Sequence, residues 1–167
     1  DAQGAAALAL NPTIEPTAQP RSYVVEATVV GDDDESVTNV TQIIAVPPFV
    51  LGVKVPRYVT DLDRLQAEII AQGPDGETVA GLDVTVRLLK RRWNSQLQAS
   101  DFTQGSAKYV TETVDEVVSE TQVVSGAEPA KLDLPLSGAG VYIVEAEARD
   151  QIGRRQIASV DLFADGG

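Results

Sequence analysis

Gly140-Val141-Tyr142-Ile143-Val144-Glu145-Ala146-Glu147-Ala148-Arg149-Asp150-Gln151-Ile152-Gly153 is the stretch whose reading decides the fold. Branched and small apolar residues recur here with a period of two, as in a strand that buries one face. The stiff side chains of Val and Ile suit a pleated surface better than a helix. Asp150-Gln151-Ile152-Gly153 then supplies a turn. Near the start of the chain, Tyr23-Val24-Val25-Glu26-Ala27 repeats the pattern of Tyr142-Ile143-Val144-Glu145-Ala146. Around both copies the same succession is expected: a strand of small residues, the tyrosine-bearing strand, an Asp-containing turn and a closing strand. The first set is Ala5 to Leu10, Tyr23 to Val30 and Val37 to Val46. The second is Lys131 to Leu134, Val141 to Arg149 and Arg154 to Phe163. A repeat of this kind marks recurring structural units.

Working outward, Gly31-Asp32-Asp33-Asp34-Glu35 reads as the turn between the first pair of strands. Asn11-Pro12 and Pro16 to Pro20 form a proline-rich connection before them. Pro47-Pro48 cannot donate ladder hydrogen bonds and sets a natural boundary. Beyond it, seven strands are expected: Phe49–Val55, Arg64–Ala71, Asp83–Arg92, Tyr109–Val124, Lys131–Leu134, Val141–Arg149 and Arg154–Phe163. The turns between them include Gly73-Pro74-Asp75-Gly76, Asp101 to Ser106, Gly126 to Pro129 and Gly138-Ala139-Gly140. In Tyr109–Val124, the residues Val110, Val114, Val117 and Val118 also recur at helical spacing. Its load of Thr and Val, which lose side-chain freedom in a helix, favours a long strand. Seven short strands in roughly 115 residues is the count of an immunoglobulin-like or fibronectin type III-like antiparallel β-sandwich. The expectation is an all-β chain in two parts. Residues 1–48 supply about three C-terminal strands of one sandwich, and residues 49–167 form a complete one. Three strands alone leave an apolar face open, so the missing half of the first unit is expected upstream.

Composition narrows function mainly by exclusion. The chain has 167 residues, with no Cys and no His. A disulfide framework, a thiolate nucleophile and a zinc–thiolate site are therefore ruled out. The commonest general base and metal ligand is missing as well. The net charge of −12 repels a phosphate backbone, which argues against nucleic acid as a partner. No apolar run approaches the roughly 20 residues of a membrane-spanning helix. The first residue is Asp1, with no leader visible, so the chain is expected to be a piece of a longer protein.

The stretch Pro56-Arg57-Tyr58-Val59, then Gly73-Pro74-Asp75-Gly76-Glu77-Thr78-Val79-Ala80-Gly81, then Val84-Thr85-Val86-Arg87-Leu88-Leu89 up to Trp93, resembles the bacterial alpha-2-macroglobulins. So does the Gly140–Gly153 stretch. The resemblance is best from about Tyr23 onward. It implies a string of macroglobulin-like domains, each a seven-stranded sandwich, within an extracytoplasmic protein (periplasmic, cell-surface or secreted) that traps proteases. Many members capture the attacker through a Cys-x-Glu-Gln thioester, which this cysteine-free chain lacks. Asp101–Ser106 is short for a bait segment. The resemblance therefore implies a scaffold piece with no chemistry of its own. Its partners would be neighbouring macroglobulin-like domains, and target proteases would be met through the parent.

Several motifs carry possible chemistry. Asp32-Asp33-Asp34-Glu35 offers carboxylates to calcium, but four consecutive acids cannot all point at one ion, and a solvated hairpin tip is expected. Lys90-Arg91-Arg92 is a basic run in an acidic chain. Alternation puts Lys90 and Arg92 on one face of the strand and Arg91 on the other, at a solvated strand end beside Trp93. Asn39-Val40-Thr41 fits a short glycosylation pattern that arises often by chance. No Gly-x-Ser-x-Gly elbow exists to activate a serine. Tyr23 and Tyr142 are expected as core residues with tethered hydroxyls, as in the tyrosine corner of sandwiches. No catalytic, cofactor-binding or metal-binding residue is assigned, and the chain is read as a non-enzyme. Two other settings share these features. One is an immunoglobulin-like repeat of a bacterial surface adhesin or stalk. The other is an accessory sandwich of a polysaccharide-degrading enzyme, for which eight aromatics over two sandwiches leave little to expose.

Overall fold

The computed structural model describes residues 5–11, 15, 17–99 and 107–166. The described residues form ten strands and no helix. They are β1 (Arg21–Val30), β2 (Ser36–Ala45), β3 (Val50–Lys54), β4 (Tyr58–Val59), β5 (Arg64–Gln72), β6 (Asp83–Ala99), β7 (Ala107–Val124), β8 (Ala130–Pro135), β9 (Gly140–Arg149) and β10 (Arg155–Ala164).

β1 and β2 pair antiparallel as a hairpin of their own, from Arg21 opposite Ala45 to Val30 opposite Ser36. The other eight strands form two sheets, one of order β4-β10-β9-β6-β7 and one of order β3-β5-β8. All pairings are antiparallel except β4 with β10. Strict alternation is what lets the two sheets face each other. On β5, Leu65, Ala67, Ile69 and Ala71 turn inward; on β6, Val84, Val86 and Leu88 do so, and on β9 Tyr142, Val144, Ala146 and Ala148. These side chains form one contiguous core with Phe49, Leu51, Leu134 and Leu162. A dry, interdigitated layer of this kind is the main stabilising term of a sandwich.

All seven strands expected after Pro48 are present, close to their expected bounds, so the immunoglobulin-like sandwich holds. Three details differ. β4 is an additional strand of two residues, too short to show a period. β6 runs past Arg92 to Ala99, because β7 continues to pair with it beyond the point where its pairing with β9 stops, at Arg91 opposite Val141. Ala5 to Leu10 is not a strand: residues 5–11 carry no ladder, leaving two strands rather than three among the described residues of 1–48. Alanine offers little surface to pack on a pleated neighbour, and Asn11-Pro12 follows directly. The expected turn at Asp101 to Ser106 lies outside the described residues.

One five-residue turn recurs at three places. Gly31 N–H donates to Glu35 O at 2.8 Å, Gly73 N–H to Glu77 O at 2.8 Å and Asp150 N–H to Arg154 O at 3.0 Å. The fourth residue in each needs a positive φ, met by Asp34 at 61°, Gly76 at 90° and Gly153 at 83°. Glycine takes this conformation freely and Asp is among the few others that tolerate it.

Candidate functional site

The basic run divides as alternation requires. Lys90 lies on the inward side, where its Nζ donates to Ser137 O at 2.6 Å and sits 5.2 Å from the centre of the Tyr142 ring. Arg92 pairs with Glu116 of β7 at 2.6 Å. Arg91 takes the outer face, where Nε and Nη2 fork onto Asp115 at 2.9 and 3.0 Å. Its Nη1 also comes within 3.7 Å of Asp161 on β10. Since β9 lies between β6 and β10, that contact spans a whole strand.

Arg91 belongs to a larger lattice on the outer face of the five-stranded sheet. Arg87 of β6 donates to Glu120 of β7 at 2.7 Å and to Glu145 and Glu147 of β9 at 3.2 and 2.9 Å. Arg155 of β10 forks onto Glu147 through Nε and Nη2, both at 2.8 Å. Four strands, β7, β6, β9 and β10, are thus stapled side to side. Glu147 is the hub, with a side chain only 11% exposed. The hydrogen bonds from Arg155, reinforced by Arg87, outweigh burial and hold its carboxyl down to about 2. Arg91 likewise lowers Asp115. Arg87 is held even more firmly protonated by Glu147, Glu120 and Glu145. Exposed single pairs contribute little, about 0–1 kcal/mol each, but bidentate forks sharing a half-buried hub are the geometry that contributes most.

Tyr142 is fully buried. Its hydroxyl donates to Gly138 O at 2.7 Å and accepts from Ser137 N–H at 2.9 Å, which makes it the tethered corner expected of it. Tyr23 differs. It stands half-buried on the hairpin, beside a hollow lined by Leu10, Asn11, Glu15, Ile43, Ala45 and Arg154, and no described residue tethers its hydroxyl. The likeness in sequence comes from strand alternation and does not extend to the corner.

Asp33 spends its Oδ1 on Glu35 N–H at 3.3 Å, so part of the acidic run serves its own turn. Among the described residues, no group of three or more acidic residues is placed to hold a metal ion. Asn39 lies on the exposed strand β2 opposite Ala27. Trp93 is 54% exposed on the outer face, and Tyr58 meets Phe163 edge-on at 6.4 Å at the opposite side of the same sheet. Two polar anchors act through hydrogen bonds that the sequence did not announce, Ser125 without any signal and Asp150 read only as a turn residue. Ser125 Oγ donates to Val79 O at 2.7 Å and accepts from Leu82 N–H at 3.0 Å. Burial pushes the Asp150 carboxyl up, yet the Arg154 side chain at 2.8 Å and the backbone N–H groups of Arg154 and Ile152 bring it below its usual range.

These polar groups bind strands and turns to one another, and among the described residues they converge on no reacting centre. The class so defined is an immunoglobulin-like antiparallel sandwich tied together by ion pairs and a tyrosine corner. The family profile of bacterial macroglobulin domain 6 matches residues 56–165. The chain belongs to that family, and is a macroglobulin-like domain of bacterial alpha-2-macroglobulin-like proteins. None of the curated proteins compared with it matches. Among solved structures, it is similar to the alpha-2-macroglobulin of Salmonella reacted with methylamine. That likeness has a TM-score of 0.60 at 18% identity, over 89% of this chain and 10% of the other. The native conformation of E. coli alpha-2-macroglobulin gives a TM-score of 0.60 at 16% identity, over 88% of this chain and 10% of that one. The chain thus spans 10% of the length of either protein, and at these identities the likeness is one of fold. No described helix is long and apolar enough to cross a membrane.

Proposed function

We propose that the chain is a scaffold segment of an extracytoplasmic, alpha-2-macroglobulin-like protease inhibitor, with no chemistry of its own. The observation that carries this reading is the family membership over residues 56–165. The outer face agrees with it, because its charged residues are spent on tying strands together, Arg87 and Arg155 on Glu147 and Arg91 on Asp115. In this reading residues 49–167 are one complete domain, and residues 1–48 are the trailing part of the domain before it.

The hairpin supports that division. One face carries Tyr23, Val25, Ala27, Val29, Val37 and Ile43, by the alternation of β1 and β2. The other mixes polar contacts, Thr28 to Thr38 at 2.8 Å and Gln42 to Ser22 at 2.5 Å, with exposed Val24, Val30, Val40 and Ile44. The Tyr23–Ile43 face is the more apolar of the two, and its cover would be strands from upstream in the parent. Partners are then neighbouring domains of the same polypeptide, and proteases only through the whole assembly. The test uses the full-length parent, incubated with a broad-specificity protease. A trap leaves the bound protease active on a small peptide while shielding it from a large protein substrate. Equal loss of both activities, or of neither, sinks the proposal.

A further inference from the structure

We propose that the β1–β2 hairpin is clamped to the sandwich at both of its feet, so that hairpin and β10 move as one rigid body. Two segments join the hairpin to the rest, one entering through Thr17 and Ala18 and one leaving through Val46, Pro47 and Pro48. The entering foot is bonded to the sandwich edge. Thr17 bridges Arg155 in parallel register, and Ala18 N–H donates to Arg155 O at 2.8 Å. Ala18 is 1% exposed, whereas Gln19, Pro20 and Arg21 just beyond it are exposed. At the leaving foot Pro47 is buried between exposed Val46 and Pro48, and Phe49 beyond them enters the core. Burial confined to Ala18 and Pro47 marks two points of attachment, in contrast to a tether that drifts over the surface.

The chemistry of both feet opposes bending. Pro20, Pro47 and Pro48 have fixed φ, and the residues before them are held extended. Beside the entering foot, Arg154 is locked by Asp150 while lining the hollow that also holds Tyr23 and Ile43. Arg155 serves both sides of the junction. Its carbonyl holds Ala18, and its guanidinium forks onto Glu147, the hub of the outer-face lattice. A displacement of the entering foot is therefore delivered to the five-stranded sheet through Arg155. The clamp rests on the chain's own geometry and stands whether or not the parent is a protease inhibitor.

The chain contains no cysteine, so two introduced ones are the only sites a thiol label finds. Glu26→Cys on β1 and Asp133→Cys on β8 are exposed positions, and nitroxide pairs there report the hairpin–sandwich distance by pulsed electron resonance. The expected result is a single narrow distance distribution, broadened by roughly twofold in Ala18→Pro, which deletes the donor at the entering foot. Ala18 lies outside the contiguous core, so the sandwich is expected to fold without it. A broad distribution in the labelled pair that retains Ala18, or a narrow one that Ala18→Pro leaves unchanged, overturns the clamp. Amide exchange on the unaltered chain checks the same foot independently of any variant. Ala18 N–H should exchange on the order of 100-fold more slowly than Gln19 N–H, and comparable rates would refute the attachment.

Discussion

Replacing Tyr142 by phenylalanine removes one oxygen atom and leaves the ring that fills the core. The hydroxyl serves two partners, donating to Gly138 O at 2.7 Å and accepting from Ser137 N–H at 2.9 Å. A net hydrogen bond contributes about 1 kcal/mol, and a buried group left unpaired costs about 1–3 kcal/mol. Ser137 lies at the surface, where water can reach its freed N–H in part, so the lower half of that range applies. The expected loss is about 2 kcal/mol. In urea, with a slope of about 2 kcal/mol per molar, the midpoint falls by about 1 M and the slope stays fixed. Heating should show a drop of about 6 °C for a chain of this size. Tyr23→Phe is the matched control, since its hydroxyl is untethered, and it should shift stability by less than about 0.5 kcal/mol. Equal losses at the two tyrosines, or a Tyr142→Phe loss below about 0.5 kcal/mol, would refute the corner as a source of stability.

The same geometry sets three further outcomes. The Glu147 carboxyl titrates near 2 in the folded chain against 4.5 unperturbed, so its contribution is complete above pH 4.5 and is lost as pH falls toward 2. Melting temperatures of the native chain and Glu147→Gln, compared across that window, should converge at the acid end, and parallel curves would count against the hub. Ser125→Ala strands Leu82 N–H and Val79 O together and should cost about 1–2 kcal/mol by chemical denaturation, against less than about 0.5 for exposed Ser159→Ala. Gly140 has φ of 149°, and a Cβ there would meet Lys90 Cε at 3.0 Å. Gly140→Ala should therefore destabilise by about 1–2 kcal/mol, and a neutral result would show that the loop yields more readily than its φ suggests.

Much of the sandwich was legible because its strands alternate strictly and end in turn residues. Arg64 to Ala71 and Val141 to Arg149 announce both their class and their buried face. Whatever depends on a partner strand was not legible. β4 exists only because Phe163 and Ala164 offer an edge to Tyr58 and Val59. β6 outruns its expected end because β7 accompanies it, and Ala5 to Leu10 stays irregular without a strand beside it. The same rule divides the site. Alternation alone separates Arg91 from Lys90 and Arg92, but their acceptors follow from the strand order β10-β9-β6-β7. They depend also on the irregularity at Leu88 and Leu89, where Val118 is the extra residue of β7. Asp150 was legible as a turn residue, but its pairing with Arg154 was not. Ser125 gave no sign, since a single polar residue in a turn looks like any other until its hydrogen bonds are known.

The hairpin and the sandwich stand in opposite energetic positions, and this is the physical sense of the division proposed near Pro48. In the sandwich, the two sheets close over one core, and Tyr142, Leu65, Ile69 and Leu88 lose nearly all contact with water. In the hairpin, twenty residues form ten cross-strand pairs yet leave Val24, Val29, Val37 and Ile44 more than 60% exposed. A two-stranded ribbon is marginal in water by itself, because ordering its backbone costs about 1–2 kcal/mol per residue with little apolar burial in return. Its order in this chain rests on its feet, on Ala18 held by Arg155 and on Pro47. Strands packed upon the Tyr23–Ile43 face would bury Val29 and Val37 and leave Val24 and Ile44 on the opposite face. Through the clamp, the same packing would fix how the preceding domain is set against the five-stranded sheet. In the proposed scaffold, domain completion and domain orientation are thus one interaction, settled within a few residues of Arg155.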